Sequence, residues 1–379
     1  PLYNAIVWQC RRADPLCAEL KHAGHEPTVA AATGLKVDTY FPASKLRWLV
    51  ENEPDVAARL HAGSALIGTI DAYLIYRLTG GQVFASDHTN ACRTLLYNIY
   101  SLAWDEQLCQ LFRVPAEALP EVRSSAAQFG QTDAAGRLPS ELPICGVMGD
   151  SQASLFALGC HRPGDTKVTF GTGSARLTNT GNLPQASTGG SVATIAWVLD
   201  EQPTYCLEGV VNYSAATIEW LKNQLELIDD AAESDALARS VADNGGVYLV
   251  PAFAGLGAPY WSANARAAII GMSSHSTKAH VVRAALESIA YQIRDVLAMM
   301  KEASGVSLSR IRADGGATSN EFLMQFTSDI VAAELETTQV AESSPLGAAL
   351  CGSLGQGVYS TIDEITRLVA AKHTYRPSM

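Results

Sequence analysis

Residues 142–150 read Leu-Pro-Ile-Cys-Gly-Val-Met-Gly-Asp, 151–159 read Ser-Gln-Ala-Ser-Leu-Phe-Ala-Leu-Gly, and after a Pro-Gly turn at 163–164 residues 166–173 read Thr-Lys-Val-Thr-Phe-Gly-Thr-Gly. The pattern predicts a strand, a short helix and a second strand, with Asp150 at the carboxyl end of the first strand. Open α/β sheets hold ligands at that end, so Asp150 is the first catalytic candidate. Gly171-Thr172-Gly173 follows the second strand, and glycines let backbone amides approach an anion closely. An acid beside a phosphate cradle points to phosphoryl transfer. Taken singly, each feature has a plainer reading: a helix cap or turn for the aspartate, a hairpin for Gly-Thr-Gly.

The composition sets bounds around this stretch. A chain of 379 residues exceeds one ordinary core, so two domains with a cleft between them are expected. Hydrophobic residues at 47% and charged residues at 17% describe a well-packed globule. Apolar runs break well before the roughly eighteen residues of a membrane span. A formal net charge of −11 with no basic stripe argues against a nucleic-acid partner. The eight cysteines show no C-x-x-C pair and no metal-ligand spacing, which fits buried thiols in a reducing cytoplasm.

Working outward, Asn4 to Trp8 reads as a strand, and Ala43 to Val50 as a helix with Leu46, Leu49 and Val50 inward and Lys45 and Arg47 exposed. Leu66 to Ile70 reads as a strand followed by a helix that Asp71 caps and that runs through Leu78; Asp105 to Phe112 and Pro115 to Leu119 read as short helices. Beyond Gly173, strands are expected at 175–179, 191–198 and 205–207, the last ended by Glu208-Gly209. A helix then spans Asn212 to Leu225 with Ile218, Leu221 and Leu225 on one face. A buried strand covers 247–250. The longest helix starts at Ser276 and ends near Gly305, with Val282, Leu286, Ile289, Ile293 and Leu297 at three-and-four spacing. Ile311 to Asp314 is a strand meeting Gly315-Gly316, and Ser319 or Asn320 caps a helix through Ile330. Two strand–glycine turns and one acid make a nucleotide cleft the expected site. The P-loop and Rossmann fingerprints do not occur. The domain boundary is placed near Arg162-Pro163-Gly164, giving domains 1–162 and 163–379.

Several stretches together resemble the FGGY carbohydrate kinases, in particular those acting on glycerol. They are 6–12 (Ile-Val-Trp-Gln-Cys-Arg-Arg), 89–94 (Thr-Asn-Ala-Cys-Arg-Thr), Gly149-Asp150, 251–261, and 314–317 (Asp-Gly-Gly-Ala) with Asn320 and 322–326. The resemblance spans essentially the whole chain. It implies the actin-like ATPase (ribonuclease H-like) fold, two α/β domains flanking a cleft where ATP and Mg2+ meet a small polyol or sugar, with self-association left open. It also implies roles. Asp150 resembles the catalytic base and a metal-side carboxylate, and Trp8 and Tyr40 resemble the polyol-pocket lining. Gly171, Thr172 and Gly173 resemble the turn on the transferring phosphates, while Gly315, Gly316 and Asn320 resemble the adenosine site. In most chains the aromatics would be core residues and Asn320 a cap.

Departures from the family pattern bear on specificity. Ser151 stands where the family's glycerol kinases usually carry Gln, and Ala175 where they carry Phe, so a wider pocket is expected, with the Ser151 hydroxyl free to meet an extra oxygen. Arg176 or Tyr213 is the side chain that could restore the lost wall. Ala215 and Glu219 replace a Gly and a Gln beside the ribose. Glu141 occupies the place of an arginine through which some bacterial relatives bind a phosphorylated-sugar inhibitor, so that regulation is not expected. The resemblance further implies a family segment before Pro1, with a phosphate hairpin and an Arg-Glu clamp, and a last helix after Met379. The amino-terminal domain would then be incomplete and turnover by this chain doubtful. The expected reaction is ATP-dependent phosphorylation of glycerol or a close relative to its 3-phosphate. The alternatives are a pentulose or tetritol kinase, or an inactive ATP-binding homologue.

Overall fold

Alternating apolar residues over 165–211 and 310–338 give strands that need cover on both faces, and a seven-stranded sheet receives it. The computed structural model describes residues 1–185, 190–211, 213–260, 262, 264–340 and 342–379. The sheet strands are β1 (Asp165–Phe170), β2 (Ser174–Gly181), β3 (Val192–Leu199), β4 (Gln202–Val211), β5 (Arg310–Asp314), β6 (Leu335–Thr338) and β7 (Ala371–Tyr375), in the spatial order β7-β6-β5-β1-β2-β4-β3. β5 runs parallel to β1 and β6, and the remaining pairs are antiparallel.

One face of the sheet carries the long helix Lys278–Ser304, which begins at a Thr277–His280 capping box and stops at Gly305, whose φ of 66° is left-handed. Val282, Leu286, Ile289 and Ile293 on this helix, as expected, are buried against Val168, Phe170, Ile311 and Ala313. Each such side chain contributes about 1.5–3 kcal/mol on burial. The other face carries Asp150–Ala157 packed on Ser343–Gly355, with Leu155, Phe156 and Leu350 against Leu177 and Cys206. These two helices approach so closely that a Cβ at Gly347 would sit 1.8 Å from the Ala153 carbonyl oxygen. Any larger residue there would push apart the helix that begins at Asp150.

Strand alternation sorts the cleft residues. Lys167 and Thr169 of β1, Ala175 and Leu177 of β2, Glu208 and Val210 of β4, and Arg312 and Asp314 of β5 stand in matched register on the face toward Asp150–Ala157. Arg176 lies on the opposite face, so it cannot close the wall beside Ala175. It is fully buried, and among the described residues none of its guanidinium nitrogens has a hydrogen-bond partner.

Residues 1–162 are mainly helical, with a short parallel pair, Ala85–Asp87 and Glu121–Arg123. Several expectations are corrected here. Asn4 to Trp8 and Leu66 to Thr69 form no strand, because no described strand pairs with either; Ile67 makes a single backbone bond, to Ala118. The run before Asp150 is laddered only at Leu142–Pro143, and beyond it isolated bonds hold Ile144 and Val147. Lys45 and Arg47 on the helix Pro42–Asn52 are buried rather than exposed: Lys45 Nζ donates to the Trp8 and Tyr40 carbonyls, and Arg47 pairs with Glu19 and Glu51. Thr69, not Asp71, precedes the helix Ile70–Leu78, and Asp71 instead accepts from Ser86 Oγ. β4 continues through Glu208-Gly209 to Val211. The next helix is only Ala216–Asn223, which leaves Leu225 exposed, while Asn212 and Trp261 lie outside the described residues.

Candidate active site

Asp150 opens its helix immediately after Gly149, and its carboxylate is exposed. Oδ1 accepts the Ser151 amide at 2.6 Å, and Ser344 Oγ donates to the Asp150 carbonyl at 2.8 Å. Gly149 N donates to Thr89 Oγ1 at 2.7 Å, so the peptide leading into Asp150 is tied to a distant segment. Exposure together with a fixed backbone suits a group that must meet a ligand at a set place.

The Trp8 and Tyr40 rings lie 5.5 Å apart, and they are 60% and 45% exposed. Aromatic side chains so open to solvent are not core residues. The Lys45 ammonium, bonded to both of their carbonyls, holds the two segments together. Behind Tyr40, Arg93 NH2 meets Glu208 Oε2 at 2.5 Å, and the guanidinium stacks over the Phe41 ring. Burial disfavours the Arg93 charge, but Glu208 together with Cys92 and Tyr40 outweighs it, and the guanidinium ends above its ordinary pKa. Burial raises the Tyr40 phenol, and the nearby carboxylates of Glu208 and Asp150 add to the shift. Tyr40, Arg93, Glu208 and Asp150 therefore share one electrostatic neighbourhood.

Beneath them Lys167 is 2% exposed. Burial lowers its pKa, while Asp314, Glu208 and Asp150 act to raise it. Asp314 accepts from Ser154 Oγ and Ser343 Oγ, and its Oδ1 has no partner. Ser151 adjoins Asp150, and Ala175 is half-buried on the sheet face shared with Glu208 and Lys167.

The glycine turns meet at the carboxyl ends of β1 and β5. The Gly171 and Thr172 carbonyls accept the amides of Ser214, Ala215 and Ala216, which joins that turn to the start of the next helix. Gly315 has φ 95°, and a Cβ there would lie 2.5 Å from the Phe170 oxygen, so only glycine fits. A Cβ at Gly316 would meet nothing within 4 Å, leaving its backbone open to a ligand. Ala215 lies with these turns. Glu219 projects outward to Asn223, and both ends of Asn320 are occupied, by Leu323 N and Ser234 Oγ. Asn320 is thus a helix cap in this structure. Glu141 is exposed beside Leu142–Pro143.

No group of three or more metal-ligating side chains occurs among the described residues. One exposed carboxylate nevertheless fits Mg2+, which binds through one or two carboxylates, with waters and substrate phosphates completing its shell. Arg93, Glu208 and Lys167 belong to the neighbourhood of Asp150 and were not singled out from sequence for this site. Lys167 sits inside a strand that reads as sheet core and Glu208 reads as the end of one, so the available signal was a charged residue in each place.

Residues 1–157 match the N-terminal domain, and residues 166–355 the C-terminal domain, of the FGGY family of carbohydrate kinases. The fold and the match define a carbohydrate kinase of the actin-like ATPase class. The chain belongs to the FGGY family. It is 46% identical over its whole length to a glycerol kinase of Symbiobacterium thermophilum and 47% identical to glycerol kinase 1 of Thermotoga maritima, spanning 76% and 77% of those proteins. The structure of Plasmodium falciparum glycerol kinase with ADP superposes with a TM-score of 0.96 at 36% identity, covering all of this chain and 76% of that one. Among the described residues no helix is long and apolar enough to cross a membrane.

Proposed function

We propose that this protein transfers the terminal phosphoryl group of ATP to a hydroxyl of glycerol or a closely related polyol, giving the 3-phosphate. The observation that carries the reading is the exposed Asp150 carboxylate on a helix start whose backbone is tied to Thr89 and Ser344, close enough to Tyr40 to act on its phenol. The identity to glycerol kinases over the full chain supports glycerol as the acceptor.

In this reading Trp8 and Tyr40 line the polyol's carbon face, and Asp150 takes the proton from the attacking hydroxyl as the phosphoryl group arrives. The turns at 171–173 and 315–316, with Ala215, present backbone to the nucleotide, and positioning supplies most of the catalysis in phosphoryl transfer. Mg2+, when bound, neutralises charge on the phosphates, with Asp150 the residue to hold it. Glu219 and Asn320 border the nucleotide site; Ser151 and Ala175 border the polyol. The boundary between the two domains is placed at 162–163. The test is a coupled assay of ADP release with glycerol, erythritol and xylulose as acceptors. Absence of polyol-dependent ADP release would overturn the reading.

A further inference from the structure

The segment 87–94 has no part in the reaction as described, yet it holds the most heavily bonded side chain near Asp150. The Asp87 carboxylate is completely buried and accepts five hydrogen bonds: Thr89 N at 3.1 Å, Asn90 N at 3.0 Å, Asn90 Nδ2 at 2.8 Å, Thr89 Oγ1 at 2.8 Å and Ser125 Oγ at 2.7 Å. Burial pushes its carboxyl up to about 6, and the donors oppose the shift. With all five contacts coming from donors, the ionised form is the one the site satisfies.

The Thr89 hydroxyl is used twice. It donates to Asp87 Oδ1 at 2.8 Å and accepts from Gly149 N at 2.7 Å. Its proton is committed to the anchored carboxylate, so its lone pairs face the peptide just before Asp150. Ser125 works alongside: its carbonyl accepts Val147 N at 2.9 Å while its hydroxyl reaches Asp87. The run entering Asp150 is thus bonded at residues 147 and 149 to Ser125 and Thr89, the two residues whose hydroxyls donate to one buried carboxylate. Arg93, at the other end of the same segment, pairs with Glu208 from the sheet domain.

We propose that Thr89, oriented by Asp87, is a positioning residue for the reaction: it fixes the peptide that aims Asp150 at the acceptor hydroxyl. The proposal rests on Asp150 being the base. Misplacing a reacting group by about 1 Å can cost about a hundredfold in rate, and supporting-shell hydrogen bonds exist to prevent it.

The experiment compares Thr89→Val, which keeps the shape and loses the acceptor, with Thr89→Ser, which keeps it, alongside Asp150→Asn and wild type. Steady-state constants for polyol and ATP and the melting temperature are measured for each. Thr89→Val is expected to lower kcat about tenfold or more while the polyol KM stays within about threefold, and Thr89→Ser to return kcat to within about threefold of wild type. A Thr89→Val enzyme with kcat within about twofold of wild type overturns the proposal, as does a Thr89→Ser enzyme as impaired as the valine variant. If Thr89→Val does not fold, Thr89→Cys, a weak acceptor of similar size, carries the same expectation. If Asp150→Asn keeps wild-type turnover, the base assignment itself fails. If Asp150→Asn is inactive and Thr89→Val is not, only the Thr89 inference falls.

Discussion

Glu208→Gln is expected to destabilise the protein by about 3 kcal/mol, because it leaves Arg93 buried without a counter-charge. Breaking a buried pair from one side costs about 3–5 kcal/mol in general. The Arg93 side chain retains 21% exposure against 8% for Glu208, which places the cost at the lower end. The reverse substitution is milder. Arg93→Met leaves Glu208 with the Lys167 ammonium still in electrostatic reach, so a cost of about 1–2 kcal/mol is expected. Among the described residues no second carboxylate acts on Arg93, and its NH1 has no hydrogen-bond partner. The double variant should therefore lie near Arg93→Met alone, well short of the sum. Urea titrations followed by tryptophan fluorescence, with slopes checked for equality, measure these differences. Equal costs for the two single variants, or a Glu208→Gln variant within about 0.5 kcal/mol of wild type, would refute the asymmetry and the role given to Lys167.

Asp150→Asn is expected to lower turnover by about a hundredfold or more with ATP affinity retained, measured by coupled assay and calorimetry; turnover within about tenfold of wild type would remove Asp150 as the base. Ala175→Phe should tighten glycerol binding and reduce use of erythritol or xylulose, by about 1–3 kcal/mol in discrimination, since it adds an apolar wall on the face of Glu208 and Lys167. An unchanged acceptor ranking and glycerol KM would take Ala175 out of the pocket. Arg176→Met should stabilise the fold by about 1–4 kcal/mol, because it removes a buried, unpartnered charge. Burial lowers the Arg176 pKa to about 9, so the unfolded chain binds the extra proton above that pH and wild-type stability recovers there. The advantage of Arg176→Met should accordingly be full below pH 9 and shrink above it; melting curves across that range test the sign.

Local sequence determined the elements whose period and punctuation are strong. The long helix up to Gly305 rests on three-and-four spacing of Val282 to Leu297, and β1 and β5 rest on short apolar runs ending at glycines. The position of Asp150 at a helix start, and the glycine turn after β5, were legible for the same reason: both are properties of a few consecutive residues, whereas the need for glycine at 315 comes from the distant Phe170 carbonyl. Tertiary structure decided what depends on a partner far along the chain. Asn4 to Trp8 is a strand-like apolar run but has no described strand beside it, and a ladder needs two members. Lys45 and Arg47 look solvent-facing by polarity, yet carbonyls at 8 and 40 and carboxylates at 19 and 51 let them be buried. Arg93, Glu208 and Lys167 follow the same rule. For these residues another element supplies the counter-charge, and that pairing, at sequence separations beyond 100 for Arg93 and Glu208, exists only once the chain has folded.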